Sequence, residues 1–324
     1  MSTPRTYAAE GVIDLPPALL FGPEFLGLRK RACIGGIDVT LVFPDFEAKG
    51  HGFEPILPRQ ARIDWVGSLK TLPDEDDPGH PFGRVTAHDG PKEIIEFSPA
   101  RLLLRPRSHL TLAEARRLHA ATDDWTDQLQ TWIEVITRQD LREEKVKVEH
   151  VGAGAWVWVD KGKEGKIFRG RREITLSFGE KLQVTASQWG KILAKVSQDI
   201  FPPEAHIFLR DARYADNLGR RRRSVLDSAT AAELGLAKLR DDLLRGTDGR
   251  VAAYVGREAR QIGGLIEFLK AMGRELPGKI QQEVGEPRNR AIHEGREPDA
   301  ETARAALAKA EEIVDVAFPL GSLL

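Results

Sequence analysis

The stretch EPRNRAIHEG, residues 286–295, combines three residue types that can bind a phosphate and move a proton. They are Arg288, Asn289 and His293. An imidazole acts as a general acid or base near neutral pH, and a guanidinium offers forked donors to charge on phosphate oxygens. The chain has only two asparagines, so the pattern R-N-x-x-x-H is expected by chance only about 0.005 times in a sequence of this composition. The pattern therefore indicates a candidate site for phosphate chemistry.

The spacing of these residues limits how their side chains can meet. Asn289 and His293 are four residues apart and share one face of a helix. Arg288 precedes His293 by five residues and points about 140° away from it around an ideal helix. Either the arginine swings back, or the helix is irregular, or the two groups meet across a subunit interface. Pro287 favours a helix start or break here, and a helix start offers backbone N–H groups to an anion.

Other basic residues could contact nucleic acid. The run GRRRRS contains the most basic spot of the chain, near the start of a predicted helix. Its arginines could bind RNA phosphates without sequence preference, or they could form a solvated helix end. Arg290, inside the motif, is a further candidate for the same contact. The RNA-binding candidates are Arg221, Arg222, Arg223 and Arg290.

Several other features have a weaker link to function. Glu233 lies beside the apolar face of a predicted helix and could orient His293 or an arginine, or form a purely structural pair. The loop 72–83 contains carboxylates and His80, which could bind a cation, although its prolines and glycines favour a solvated loop. The segment 151–156 is predicted to be a turn. Trp156 and Trp158 alternate along a predicted strand and could stack on a ligand, or pack in a core.

The elements that must position the candidate site form two parts. Before residue 200 the sequence alternates short apolar runs with Gly and Pro, which predicts strands, and one long helix over 111–139 begins with the capping box Thr111–Glu114. The segment 199–206 contains a double proline, which a helix cannot continue through. We therefore expect an α+β chain with domains at 1–200 and 203–324. Strands are predicted within 11–15, 25–44, 61–67, 92–105, 155–160 and 172–178, a short helix over 187–200, and bundle helices over 204–218, 224–244, 257–273, 278–293 and 299–318.

Composition excludes some classes of function. The net charge of −1 provides no overall basic field, so nucleic acid would have to bind at a local patch. The single cysteine, Cys33, rules out an intramolecular disulfide and a cysteine-rich zinc site, and it fits a reducing cytoplasm. We expect no signal peptide, because the N-terminus lacks a basic segment followed by a long apolar run. We expect no membrane span, because no stretch of the sequence approaches 18 uninterrupted apolar residues.

The region 203–324 resembles the HEPN domain, a compact helical module of many prokaryotic ribonucleases, toxins and phage-defence proteins. The resemblance rests on the segment RNRAIH near the start of a late helix and on the helical layout around it. It covers about the last 120 residues and does not extend to the first 200.

The resemblance implies a metal-independent RNA-cleaving site formed by Arg288, Asn289 and His293 and shared across a homodimer. It further implies that RNA supplies the attacking 2′-hydroxyl, that no cofactor is needed, and that the protein serves defence or growth arrest, with a possible antitoxin or regulatory partner. Alanine-rich helix faces over 226–237 and 303–310 would allow close approach of a second copy. The alternative is a non-catalytic dimerising module that binds a nucleotide or a partner protein, with the motif acting as a polar helix-end cluster.

Overall fold

The computed structural model describes residues 6–7, 9–15, 19, 21–43, 45–49, 52–56, 84–87, 94–98, 101–138, 153–159, 166–171 and 184–324. It divides into two compact units, Met1–Phe201 and Pro202–Leu324. The chain is α+β. The described part of the first unit contains an antiparallel sheet and two α-helices, and the second unit is a helical bundle. The predicted fold class is therefore confirmed.

The first unit is built on an antiparallel sheet of six strands. Alternating buried and exposed residues along β3 and β4 show why these segments form strands with one face toward a core. The sheet has the order β12-β11-β2-β9-β4-β3, and three two-stranded ribbons accompany it. The strands are β1 Thr6–Tyr7, β2 Ala9–Asp14, β3 Arg29–Ile34, β4 Ile37–Val42, β5 Asp45–Lys49, β6 Gly52–Ile56, β7 Arg84–Ala87, β8 Ile94–Ser98, β9 Arg101–Pro106, β10 Leu110–Thr111, β11 Ala153–Val159 and β12 Lys166–Arg171.

The strand predictions are confirmed where the structure describes the chain, with one correction. β11 begins at Ala153, so most of the segment 151–156 is strand and not the predicted turn. β11 pairs with β2 only over Trp156–Val159, whereas its pairing with β12 begins at Ala153 and shifts register between Ala153 and Trp156, so pairing with β12 accounts for the earlier start of the strand. The acidic loop 72–83 and the predicted strands 61–67 and 172–178 lie outside the described residues.

The described residues of the first unit also form two α-helices, α1 Leu112–Thr137 and α2 Ala186–Val196. The predicted capping box is confirmed, because the Glu114 N–H donates to Thr111 Oγ1 at 3.2 Å and the Thr111 N–H donates to Glu114 Oε2 at 2.7 Å. These hydrogen bonds hold the pKa of Glu114 below its ordinary value. Trp132, buried on α1, donates its indole N–H to the Ile200 carbonyl at 2.7 Å.

The second unit consists of helices arranged around α4. The helices are α3 Glu204–Asn217, α4 Arg221–Leu243, α5 Gly249–Glu258, α6 Ile262–Ala271, α7 Glu286–His293, α8 Ala300–Ala317 and α9 Leu320–Leu323. Alanines and Gly235 on α4 allow close packing: a Cβ at Gly235 would lie 3.0 Å from Ile313 Cγ2 of α8. This close approach explains the alanine-rich sequence of both helices.

Two predictions about these helices require correction. The segment predicted as one helix over 257–273 is two elements, because α5 ends at Glu258 and α6 begins at Ile262. The alanine-rich faces expected to receive a second copy are instead buried within one chain. Their buried members are Ala229, Ala231, Ala232, Ala303, Ala306 and Ala310. These buried alanines are therefore not available to a second copy.

The helical segment that includes α7 begins with a π-helical turn, Gln281–Gly285. The Glu286 N–H donates to the Gln281 carbonyl, five residues back. Pro287 has no N–H, and its ring would clash with the carbonyl four residues earlier in a regular helix. The wider π turn accommodates this proline, so the chain stays helical through Pro287 where the sequence indicated a start or break.

Among the described helices, none combines the length and the apolar content that a membrane crossing requires.

Candidate functional site

The candidate motif lies on α7, which α4 and α8 hold in place. Pro287 and Ala291 are the buried residues of α7, and Val284 of the preceding π turn continues the same stripe. Ala291 packs in a small apolar cluster with Val225 of α4 and with Ala303 and Ala306 of α8. This stripe at i, i+3 and i+7 fixes the rotation of α7 about its own axis, and therefore fixes which motif residues point outward.

Arg288 lies at the edge of the buried stripe and faces α4. Its Nη2 atom is 3.7 Å from Glu233 Oε2, and about a third of each side chain is exposed, 33% and 31%. Glu233 is thus beside the motif arginine, one of the two partners that the sequence suggested for it. The carboxylate limits the conformations of the guanidinium while leaving part of it accessible to an anion.

Asn289 and His293 occupy the outer face of α7, and both are exposed. Within the described part of the chain, neither side chain makes a hydrogen bond or an ion pair. His293 is the last residue of α7, and the following residues lead into a turn at Gly295. The imidazole is therefore accessible from solvent and available to a ligand.

The regular α-helical geometry between positions 286 and 293 separates Arg288 from His293. At about 100° per residue, their side chains leave the helix about 140° apart. Arg288 is also directed toward Glu233 on α4. One copy of α7 therefore presents the two candidate groups on well-separated sides of the helix and not at a single point.

Ile292 lies on the arc between these two groups and is 42% exposed. Ile292 was not among the candidate residues, although helical spacing places it outside the buried stripe of Pro287 and Ala291. Around the helix, Ile292 lies between Arg288 and Asn289, so it adds an exposed apolar side chain to the polar motif. Such a combination is typical of a surface that another molecule covers.

The other basic candidates are largely paired within the chain. Arg223 Nε donates to Asp227 Oδ2 at 2.6 Å, and Asp227 is buried. Arg290 Nη2 lies 3.3 Å from Glu286 Oε2, one turn earlier on the same helix. These partners reduce the positive charge available to a phosphate at both positions.

Arg221 and Arg222 lie close to carboxylates at the start of α8. The Arg222 backbone N–H donates to Glu297 Oε1 at 3.3 Å. The Thr302 backbone N–H lowers the pKa of Asp299, and the positive charge of Arg221 adds to that effect. The arginine run therefore faces local negative charge, and the structure does not bring it together with Arg288 or His293 by any contact of the described residues.

Groups of three or more histidine, cysteine or carboxylate side chains with metal-binding geometry do not occur among the described residues. Comparisons of the chain with protein-family models, with curated proteins and with solved structures find no match.

Proposed function

We propose that the protein is a metal-independent endoribonuclease whose active site contains Arg288, Asn289 and His293. The arrangement of side chains on α7 carries the proposal. Arg288 is held beside Glu233, and His293 and Asn289 are exposed together on the outer face. This arrangement provides a positioned cation and an accessible proton carrier, which are the two groups that cleavage through the 2′-hydroxyl requires.

The two groups belong in one site if two copies of the chain pair through α7. A twofold axis passing between positions 290 and 291 of antiparallel α7 helices would set Arg288 of one copy level with His293 of the other along the helix axis. The same register would set Asn289 level with Ile292. Because a twofold interface repeats each contact, the dimer would contain two composite sites around an apolar centre. Ile292, 42% exposed in one chain, would be covered there.

The residues then have distinct chemical roles. His293 accepts the proton of a ribose 2′-hydroxyl, and that oxygen attacks the adjacent phosphorus. Arg288 donates hydrogen bonds to the phosphorane oxygens, on which negative charge increases. Asn289, on the same face as His293, orients the imidazole or the scissile phosphate. The 5′-oxygen takes a proton from water as its bond to phosphorus breaks, and the imidazolium of His293 returns the proton it accepted to solvent. The products are a 2′,3′-cyclic phosphate and a 5′-hydroxyl end.

The biological role follows from the family resemblance. We propose that the protein cleaves RNA in the cytoplasm in defence or growth arrest, and that the unit Met1–Phe201 senses a trigger or recruits the target. A partner that silences the site, such as an antitoxin, belongs to the same proposal. Exposure of the motif on α7 would allow such a partner to cover it.

A second function is favoured by one observation. Glu233 lies 3.7 Å from Arg288 and could neutralise it permanently. In that case the surface of α7 would serve only to bind a second copy, a nucleotide or a partner protein, and no cleavage would occur.

The experiment that separates the two functions is an RNA cleavage assay in excess EDTA. The purified full chain is incubated with a defined RNA, alongside His293→Ala, Arg288→Ala and the control Arg304→Ala. Arg304 lies on α8 with its side chain 75% exposed, and its substitution by alanine removes the same charge at a position outside the motif. The proposal expects cleavage by the wild type and Arg304→Ala only, with 2′,3′-cyclic phosphate ends. Equal cleavage by His293→Ala, or cleavage of a fully 2′-deoxy strand, would contradict it.

A further inference from the structure

Helix α5, Gly249–Glu258, contains no fully buried residue, although it belongs to the bundle unit. Asp248 caps its N-terminus by accepting a hydrogen bond from the Arg250 N–H at 2.8 Å. Val255 packs against the main core of the bundle, and Ala259, directly after the helix, is buried in that core. The Ala259 carbonyl accepts a hydrogen bond from Arg240 of α4 at 2.7 Å. These contacts fix which face of α5 points away from the core.

The outward face of α5 carries an aromatic ring between two arginines. Around an ideal helix, Arg250, Tyr254 and Arg257 fall within an arc of about 60°, opposite Val255 and Ala259. All three are exposed, and Tyr254 is 58% exposed. A tyrosine that points directly away from the core contributes little to packing, so this stripe has no evident role in the stability of the bundle.

The arginines of this stripe differ from most others of the bundle. Arg210, Arg213, Arg223 and Arg240 each pair with a carboxylate. By contrast, no ion pair or side-chain hydrogen bond of the described residues involves Arg250 or Arg257. Their charges are therefore available to an anionic ligand.

We propose that the stripe Arg250–Tyr254–Arg257 binds single-stranded RNA, with one base stacked on the Tyr254 ring and phosphates on either side held by the two arginines. Stacking platforms flanked by cations are the usual means of binding single strands without sequence preference. Val251, one turn before Tyr254 and 51% exposed, extends the apolar surface beside the ring. The choice of RNA as the occupant rests on the proposed ribonuclease function, and the charge of the stripe is what a phosphate backbone complements.

The contacts of α5 and of the motif lie at different points along α4. The end of α5 contacts α4 at Arg240, whereas Arg288 pairs with Glu233 in the middle of that helix. Seven residues of α4 separate Glu233 from Arg240, which is about 10 Å along the helix. The stripe would thus bind nucleotides outside the scissile position and set the length of RNA that is bound well.

The test measures binding in the cleavage-deficient His293→Ala full chain, so that it does not depend on cleavage. The probe is a fluorescein-labelled oligouridylate of about 12 nucleotides, followed by fluorescence anisotropy over a series of salt concentrations. Tyr254→Leu should weaken binding about tenfold, whereas Tyr254→Phe, which keeps the ring, should bind like the parent. The double change Arg250→Ala with Arg257→Ala should lower the magnitude of the slope of log affinity against log salt by about 1.4, since two phosphate contacts are lost. Arg304→Ala should change neither quantity.

Circular dichroism of each variant shows whether the fold is intact, which is expected for changes at exposed positions. Unchanged RNA affinity in a folded Tyr254→Leu variant would overturn the proposal, as would an unchanged salt slope in the double arginine variant. Loss of self-association in Tyr254→Leu without loss of RNA affinity would overturn it in favour of a protein interface. Binding is measured in the His293→Ala parent and does not depend on cleavage. The stripe can therefore bind RNA even if the protein is not a ribonuclease, and the protein can be a ribonuclease even if the stripe does not bind RNA.

Discussion

The two ends of α7 differ in how the rest of the bundle constrains them. At its first turn, Arg288 is half-buried and lies 3.7 Å from Glu233 of α4, next to the buried Pro287. At its last residue, His293 is exposed and makes no side-chain hydrogen bond within the described residues. One end is therefore fixed in position by its own chain, while the other is free to meet a ligand or a second copy.

This difference shows how a single short helix can hold two groups that it cannot bring together by itself. In the proposed reaction, a cation that stabilises a transition state must be positioned in advance, and Glu233 and the buried stripe would do this for Arg288. A proton carrier must reach its substrate, and the exposure of His293 would allow that. We therefore predict that substitutions at the two ends of α7 affect RNA cleavage through different mechanisms.

The largest effects are expected from the two reactive groups. His293→Ala and Arg288→Ala should each lower the rate of RNA cleavage about 10²–10⁴-fold, because each removes one contribution to transition-state stabilisation or proton transfer. Single-turnover cleavage with saturating enzyme measures this without interference from product release. His293→Ala should leave the thermal midpoint unchanged, since the exposed side chain makes no hydrogen bond or ion pair with the described residues. A loss of less than tenfold for His293→Ala would remove the imidazole from the mechanism.

We expect Ile292, which lies between the two ends of α7, to determine whether two copies form a dimer. Ile292→Asp places a charge in the proposed dimer interface and should shift the chain to monomer, with cleavage at micromolar protein falling about tenfold or more. Light scattering and activity are measured over the same range of concentrations. The control is Val316→Asp on α8, which adds the same charge at a side chain that is 44% exposed outside the motif. Dimers of unchanged stability in Ile292→Asp would place the interface elsewhere.

The anchoring of Arg288 should contribute less. Glu233→Gln removes a partly exposed ion pair and should lower cleavage about two- to fivefold, because such pairs contribute little free energy and the arginine itself remains. The effect should appear in the rate of the chemical step and not in substrate affinity. Glu286→Gln is the matched control, since it frees Arg290 on the same helix without touching Arg288. Equal losses in both variants would show that net charge, and not positioning, is responsible.

Features with short-range causes were predictable from sequence. The capping box Thr111–Glu114 lies within one turn, so its residues determine the start of α1 directly. α5 was not predicted because Gly249 and Gly256 have low helix propensity. In addition, none of its residues is fully buried, so the sequence shows no clear apolar stripe there. The contact between Glu233 and Arg288 depends on how α4 and α7 pack, which spacing along either helix does not specify. The alanine faces were correctly taken for close-packing surfaces, but the sequence could not show that α4 and α8 use them on each other.

The central claim is that one active site takes Arg288 from one copy and His293 from another, and mixing the two inactive variants tests it most directly. Full-length Arg288→Ala and His293→Ala chains are combined in equal amounts, allowed to exchange subunits, and assayed for RNA cleavage in EDTA. Half of the dimers are then mixed, and each contains one intact composite site, so activity should recover to about a quarter of the wild-type value. If the mixture exchanges subunits but remains as inactive as either variant alone, the site does not draw its two groups from different copies and the account is contradicted.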